Sequence, residues 1–178
     1  MNSALGPSSV TPTVISAPDA DLAELYNTHY RSLVRLAAQL VRDVATAEEV
    51  AQDSFAAMHG AWRRLRDSDK ALPYLRQSVL NGSRSVLRRR AVADRNAPRG
   101  EPDMPSAEQG AIVLMERLAV VSALWTLSPR QREALVLRYY QDLSEAEIAS
   151  VMGISKGAVK SHTARAMSAL RSVLEREG

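Results

Sequence analysis

Between Leu143 and Leu170 the chain reads LSEAEIASVMGISKGAVKSHTARAMSAL. If Val159, Ala166 and Leu170 turn inward at helical spacing, then Lys156, Lys160, Ser161 and Arg165 point outward. Cations and a hydroxyl on the front half of one helix can bind phosphates and base edges. Ser155 stands at the start of that helix, as an N-cap and as a further polar group on the same face. Catalytic chemistry has little material by comparison. His29, His59 and His162 lack metal-ligand spacing and a carboxylate partner in sequence, and no phosphate-cradling glycine loop or nucleophile elbow occurs. Paired acids such as Glu48-Glu49 read as solvated helix charge. No catalytic residue, metal or cofactor is expected.

The elements that must position those side chains are legible. Ser144 with Glu147 three residues on has capping-box spacing, and Ile148, Ala149 and Met152 then share a helical face. Gly153 supplies a positive φ, Ile154 plugs the turn, and Ser155 opens the second helix. The pattern predicts a helix-turn-helix. An ordinary helical hairpin with a solvated face is the plainer reading, but the buried pattern, the Gly-Ile-Ser turn and the outward cations coincide.

The rest of the chain sets the frame. Its 178 residues suffice for one ordinary domain or two small ones, and 46% of them are hydrophobic. One Phe, two Trp and five Tyr suit bundles packed by Leu, Val and Ala. The absence of cysteine excludes disulfides and cysteine zinc sites. A net charge of +3 permits nucleic-acid binding without demanding it. No apolar run reaches the roughly 18 residues of a membrane span, and no secretion signal is evident. The expected location is the cytoplasm, with no membrane insertion.

Residues 1–18, rich in Ser, Thr, Pro and Ala, read as a disordered tail. Asp19 to Asp21 can cap a first helix carrying Leu22, Leu25, Tyr26, Leu33, Leu36 and Leu40, which Arg42-Asp43 breaks. Thr46, with Glu49, is the expected cap of a second helix. That helix has Val50, Ser54, Phe55, Met58 and Trp62 on its core stripe and Glu48, Gln52 and Asp53 on an exposed one. Residues 63–72 read as a loop, and Pro73 opens a third helix ending in Arg88-Arg89-Arg90, which Gly82 weakens and kinks. Residues 93–110 are the clearest linker. The expected class is all-α: helical domains at 19–92 and 111–176. In the second, Ser128 caps a helix with Pro129 in its first position, and Arg132 takes the place of a capping-box Glu.

With these motifs in place, the chain resembles bacterial alternative sigma factors of the extracytoplasmic-function group. Residues 127–171 (LSPRQREALVLRYYQDLSEAEIASVMGISKGAVKSHTARAMSALR) look like the family's region 4. Residues 25–65 and 73–90 are similar to region 2. The two blocks stand in family order, with a linker of family length between them. The resemblance implies a non-enzymatic initiation factor with core RNA polymerase and promoter DNA as partners. The stripe Glu48, Gln52 and Asp53 would meet a basic coiled coil of the polymerase. Asn81 would capture a base extruded from the minus-10 element, beside a pocket walled by residues 66–72. Arg84, Arg88, Arg89 and Arg90 would hold phosphates, one of them being as readily a solvated cation at a helix end. The recognition helix, with Ser155, Lys156, Lys160, Ser161 and Arg165, would read the minus-35 element. The chain departs from the pattern at Gly82-Ser83, which soften the third helix, and at Ala164, where many relatives carry a larger side chain. Many relatives are also held inactive by an anti-sigma factor wedged between the domains. The competing reading is a conventional repressor or activator ending in a LuxR-type helix-turn-helix. A receiver domain would alternate strands and helices with an acidic pocket, and the N-terminal block shows helices only.

Overall fold

The structure is a computed structural model, described over residues 17–62, 68–96 and 120–177. Every regular element among these residues is helical: α1 Ala17–Val41, α2 Val44–Ala61, a single 3-10 turn at Ser68–Lys70, α3 Ala71–Asn96, α4 at 120–126, α5 Pro129–Tyr139, α6 Glu145–Met152 and α7 Lys156–Glu177. Residues 97–110 of the expected linker and 1–16 of the expected tail lie outside the described residues, whereas residues 93–96 belong to α3 and residues 17–18 to α1.

The break between α1 and α2 is made by backbone, not by composition alone. Arg42 takes φ +60°, a left-handed conformation rare for a residue with a Cβ. Asp43 then caps α2: its carboxylate accepts from the Thr46 N–H at 3.0 Å and from the Thr46 hydroxyl. The expected cap at Thr46 is therefore displaced by three residues, and Glu49 makes no box. Arg90 reaches this corner from α3, donating to the Val41 carbonyl at 2.5 Å and to Thr46 Oγ1 at 3.0 Å, with Asp43 at 3.5 Å. Of the four arginines assigned to phosphate, Arg90 is thus the clasp that ties α3 to the α1–α2 corner.

Leu33, Leu36 and Leu40 of α1, Val50, Phe55 and Met58 of α2, and Leu75, Val79 and Leu80 of α3 close the core of this three-helix unit. The third helix starts two residues before Pro73, runs six past Arg90 and is unbroken at Gly82. Gly82 serves packing: a Cβ there would stand 3.0 Å from Val50 Cγ1, so α2 and α3 approach as closely as they do because none is present. Ser83 beside it is buried as well.

The C-terminal helices are set by local signals. The Ser128 N–H donates to Gln131 Oε1 at 3.3 Å, so Gln131 fills the box position that the sequence reading gave to Arg132. Ser144 and Glu147 form the expected reciprocal box, and Gly153 caps α6 at φ 67°. Ser155 accepts from the Ala158 N–H at 3.1 Å and starts α7. Val136, Leu137, Ile148, Val151 and Val159 are buried in continuity with the N-terminal core, because α5 packs on α1 and α6 on α3. Leu124, Leu127, Leu135 and Ala166 form a smaller cluster.

Candidate nucleic-acid and polymerase surfaces

On α7, Lys156, Lys160 and Arg165 are exposed and Ser161 is half-buried, while Val159 and Ala166 face inward as spacing requires. The hydroxyl oxygen of Ser155 is engaged in capping, so its polar contribution to this face is its O–H. Lys160 Nζ lies 3.8 Å from Glu145 Oε2 of α6, both well exposed. Lys160, Thr163 and Ala164 border a hollow of about 250 Å³, whose far wall is Arg138 and Tyr139 of α5. The small Ala164 side chain helps to leave it open. Glu147 accepts from the Ser144 N–H at 2.8 Å and hydroxyl at 2.7 Å, and these hydrogen bonds hold its carboxyl below the usual range.

On α3, Asn81, Arg88 and Arg89 are exposed along one side. Arg84 is not free. Its Nε and Nη2 donate to the two carboxylate oxygens of Glu133 on α5 at 2.7 and 2.8 Å, and its Nη1 donates to Asn81 Oδ1 at 3.2 Å. Residues 66 and 67 of the expected pocket wall are outside the described residues; Ser68–Lys70 form the 3-10 turn ahead of α3.

On α2, Glu48, Gln52 and Asp53 are exposed, as the stripe predicts. Gln52 Nε2 stands 3.5 Å from the Tyr30 hydroxyl. Tyr30 stacks on Tyr26 at 4.5 Å, and Tyr26 meets Phe55 edge-on at 5.0 Å. This aromatic ledge beside the stripe was missed, although Tyr26 and Tyr30 stand four residues apart and so share a helical face.

A buried arginine was missed too. Arg132 is 5% exposed and threads under α4. It donates to the carbonyls of Leu124 and Leu127, both at 3.0 Å, and its guanidinium lies 3.7 Å from the Trp125 ring centre. Burial lowers its pKa from the ordinary arginine value, with Glu133 opposing the shift. Among the described residues no cluster of His, Cys, Asp and Glu could hold a metal, and no helix is long and apolar enough to cross a membrane.

Residues 25–92 match the family model for sigma-70 region 2, and residues 117–170 match that for sigma-70 region 4. The chain belongs to the sigma-70 family, in its extracytoplasmic-function group. It is 32% identical to the RNA polymerase sigma-E factor of Streptomyces coelicolor over 158 residues, covering 86% of each chain. It is 32% identical to the ECF RNA polymerase sigma factor SigL of Mycobacterium tuberculosis over 171 residues, 92% of this chain and 94% of SigL. Among solved structures, CnrH in complex with the cytosolic domain of CnrY superposes with a TM-score of 0.68 at 25% identity, covering 88% and 89% of the two chains. The sigma factor RpoE of Bartonella quintana, solved with the anti-sigma factor NepR, shares the fold with a TM-score of 0.72 at 23% identity, covering 87% and 97%. This sigma factor is accordingly an alternative RNA polymerase sigma factor and not an enzyme: its family acts in transcription initiation without catalysing a reaction.

Proposed function

We propose how this sigma factor divides its work. The α2 stripe Glu48, Gln52 and Asp53 docks on a basic surface of core RNA polymerase. The face of α7 carrying Ser155, Lys156, Lys160, Ser161 and Arg165 enters the major groove of the minus-35 element. Asn81, with Arg84, Arg88 and Arg89, takes an extruded base and its flanking phosphates at the minus-10 element. The observation that carries this reading is the exposure of Lys156, Lys160 and Arg165 on the helix whose opposite face, Val159 and Ala166, is buried in the region 4 core. Such a helix has one side for packing and one for a polyanion. Control by an anti-sigma protein, in the cytoplasm, belongs to the same proposal. CnrH, at 25% identity, was solved holding a second polypeptide on this fold.

The two DNA roles separate in one experiment, on a promoter selected in vitro with reconstituted holoenzyme. Lys160→Ala weakens minus-35 binding by the value of one base contact, about 1–3 kcal/mol. Asn81→Ala leaves duplex minus-35 binding unchanged and impairs opening, because its partner exists only after unpairing. Permanganate reactivity of unpaired thymines reports opening. A template with a pre-melted bubble rescues Asn81→Ala in part and does little for Lys160→Ala. An equal response of the two variants to the bubble would sink the division of roles.

A further inference from the structure

Arg84 and Asn81 stand three residues apart on α3, and Arg84 Nη1 donates to Asn81 Oδ1 at 3.2 Å. This spacing brings side chains together on any helix, so the bond needs no partner from another element. A guanidinium has only donors, and the atom it faces must therefore be the amide oxygen. Asn81 is exposed, and its Nδ2 hydrogens are what it has left to offer a ligand. The guanidinium is itself held. Its other edge, Nε and Nη2, lies on Glu133 of α5 at 2.7 and 2.8 Å. That edge fits a carboxylate or a phosphate alike, and Nη1 remains with Asn81 in either case.

The surroundings carry the same sign. Arg88, one turn beyond Arg84, is exposed on the same stripe of α3. The only carboxylate on α3 is Asp94, well past that stripe toward the end of the helix. Gln77, one turn before Asn81 and exposed, is the other amide of the stripe. Around Asn81 the helix thus presents hydrogen-bond donors and positive charge.

Bases differ in how they meet such a surface. Adenine alone lacks a carbonyl oxygen. An amide reads it with donor and acceptor together, the donor to a ring nitrogen and the acceptor to the amino group. With Oδ1 held by Arg84, the acceptor half is lost, and the adenine amino group, itself a donor, is turned toward a cation. Cytosine, guanine and thymine each bring a carbonyl oxygen to Nδ2. We propose that Arg84 sets Asn81 as a donor-only reader, so that the capture site of α3 takes a base carrying a carbonyl oxygen and discriminates against adenine. The inference rests on the assignment of Asn81 to base capture.

The test uses holoenzyme reconstituted with core polymerase, on a promoter selected in vitro whose non-template strand is unpaired over the minus-10 element. Abasic sites are placed singly along that strand, with parent and with Asn81→Ala. The position that Asn81 contacts is the one where an abasic site weakens the parent alone. Adenine and hypoxanthine are then compared at that position. They share a ring frame, and in hypoxanthine a carbonyl oxygen replaces the amino group. The parent holds hypoxanthine more tightly by about five- to tenfold, the worth of one hydrogen bond. Arg84→Met removes the donors, frees Oδ1 and abolishes the preference. Asn81→Asp, which can only accept, reverses it. Gln77→Ala keeps the parent's preference. Each preference is a ratio within one variant, so a general loss of stability or of phosphate contact cancels. Equal binding of the two bases by the parent, or a preference that survives Arg84→Met, overturns the proposal and leaves base capture standing. Loss of the preference in Gln77→Ala assigns the reading to the other amide and also overturns it. If no position distinguishes Asn81→Ala from the parent, the capture assignment itself fails and the proposal falls with it.

Discussion

Two residues carry more of this molecule than their types suggest. Arg132 reads in the sequence only as the residue in the place of a capping-box Glu, yet its guanidinium satisfies the carbonyls at the end of α4 and lies over the Trp125 ring. Those carbonyls lose their partner in Arg132→Ala, which costs about 2–4 kcal/mol by the value of charged hydrogen bonds and of orphaned acceptors. Urea unfolding measures it, and Arg132→Lys, lacking the planar fork, recovers less than half. Asp43 is the second. Hydrogen bonds from the Thr46 side chain and backbone hold its carboxyl below the usual range. A depressed folded pKa means stability that is present above the unfolded value, about 3.9, and is lost as pH falls through the folded one. Asn caps equally well without titrating. The stability advantage of the parent chain over Asp43→Asn therefore shrinks as pH is lowered from 5 toward 2. A difference independent of pH over that interval counts against the cap.

At the scale of the element, α3 shows what a glycine can be for. Its φ is unremarkable for a helix, and its contribution is the absence of a Cβ under Val50. Gly82→Leu forces α2 and α3 apart at a cost of about 1–3 kcal/mol. Val50→Ala in the same chain returns part of it, and thermal unfolding of the pair gives the coupling. The expectation of a kink came from propensity alone, which long-range packing overrides. What the sequence did disclose was local. Ser144 with Glu147, Gly153 and Ser155 specify their turns through partners no more than five residues away, so spacing suffices to find them. The stripe on α2 and the cationic face of α7 were equally legible, because helical period alone decides which positions face out. The pairings of Arg84 with Glu133 and of Arg90 with Val41 each span 49 residues, and no period or cap encodes them. Arg132, read only as the residue in the place of a capping-box Glu, was misplaced for a related reason: its partners are the carbonyls of a neighbouring helix end, which no spacing along its own helix discloses.

The whole molecule binds DNA with little charge to spare. A net charge of +3 over 178 residues gives a small counterion-release term, and Arg84 is paired with Glu133. The free chain is expected to bind promoter duplex no more tightly than about 10⁻⁶ M at physiological salt. Core polymerase fixes both units at promoter spacing and brings binding to about 10⁻⁸ M or better. Fluorescence anisotropy with and without core polymerase checks this, and tight specific binding by the free chain would contradict it. The contact between the units also carries its own optical signal. Trp125 is stacked at 3.7 Å by Arg132 from its own unit and approached at 5.8 Å by Arg42 from the other. The only other tryptophan is Trp62. With Trp62→Phe, a single indole remains, gripped by one permanent cation and one that leaves when the units part, so its emission colour reads out closure in an otherwise unlabelled chain.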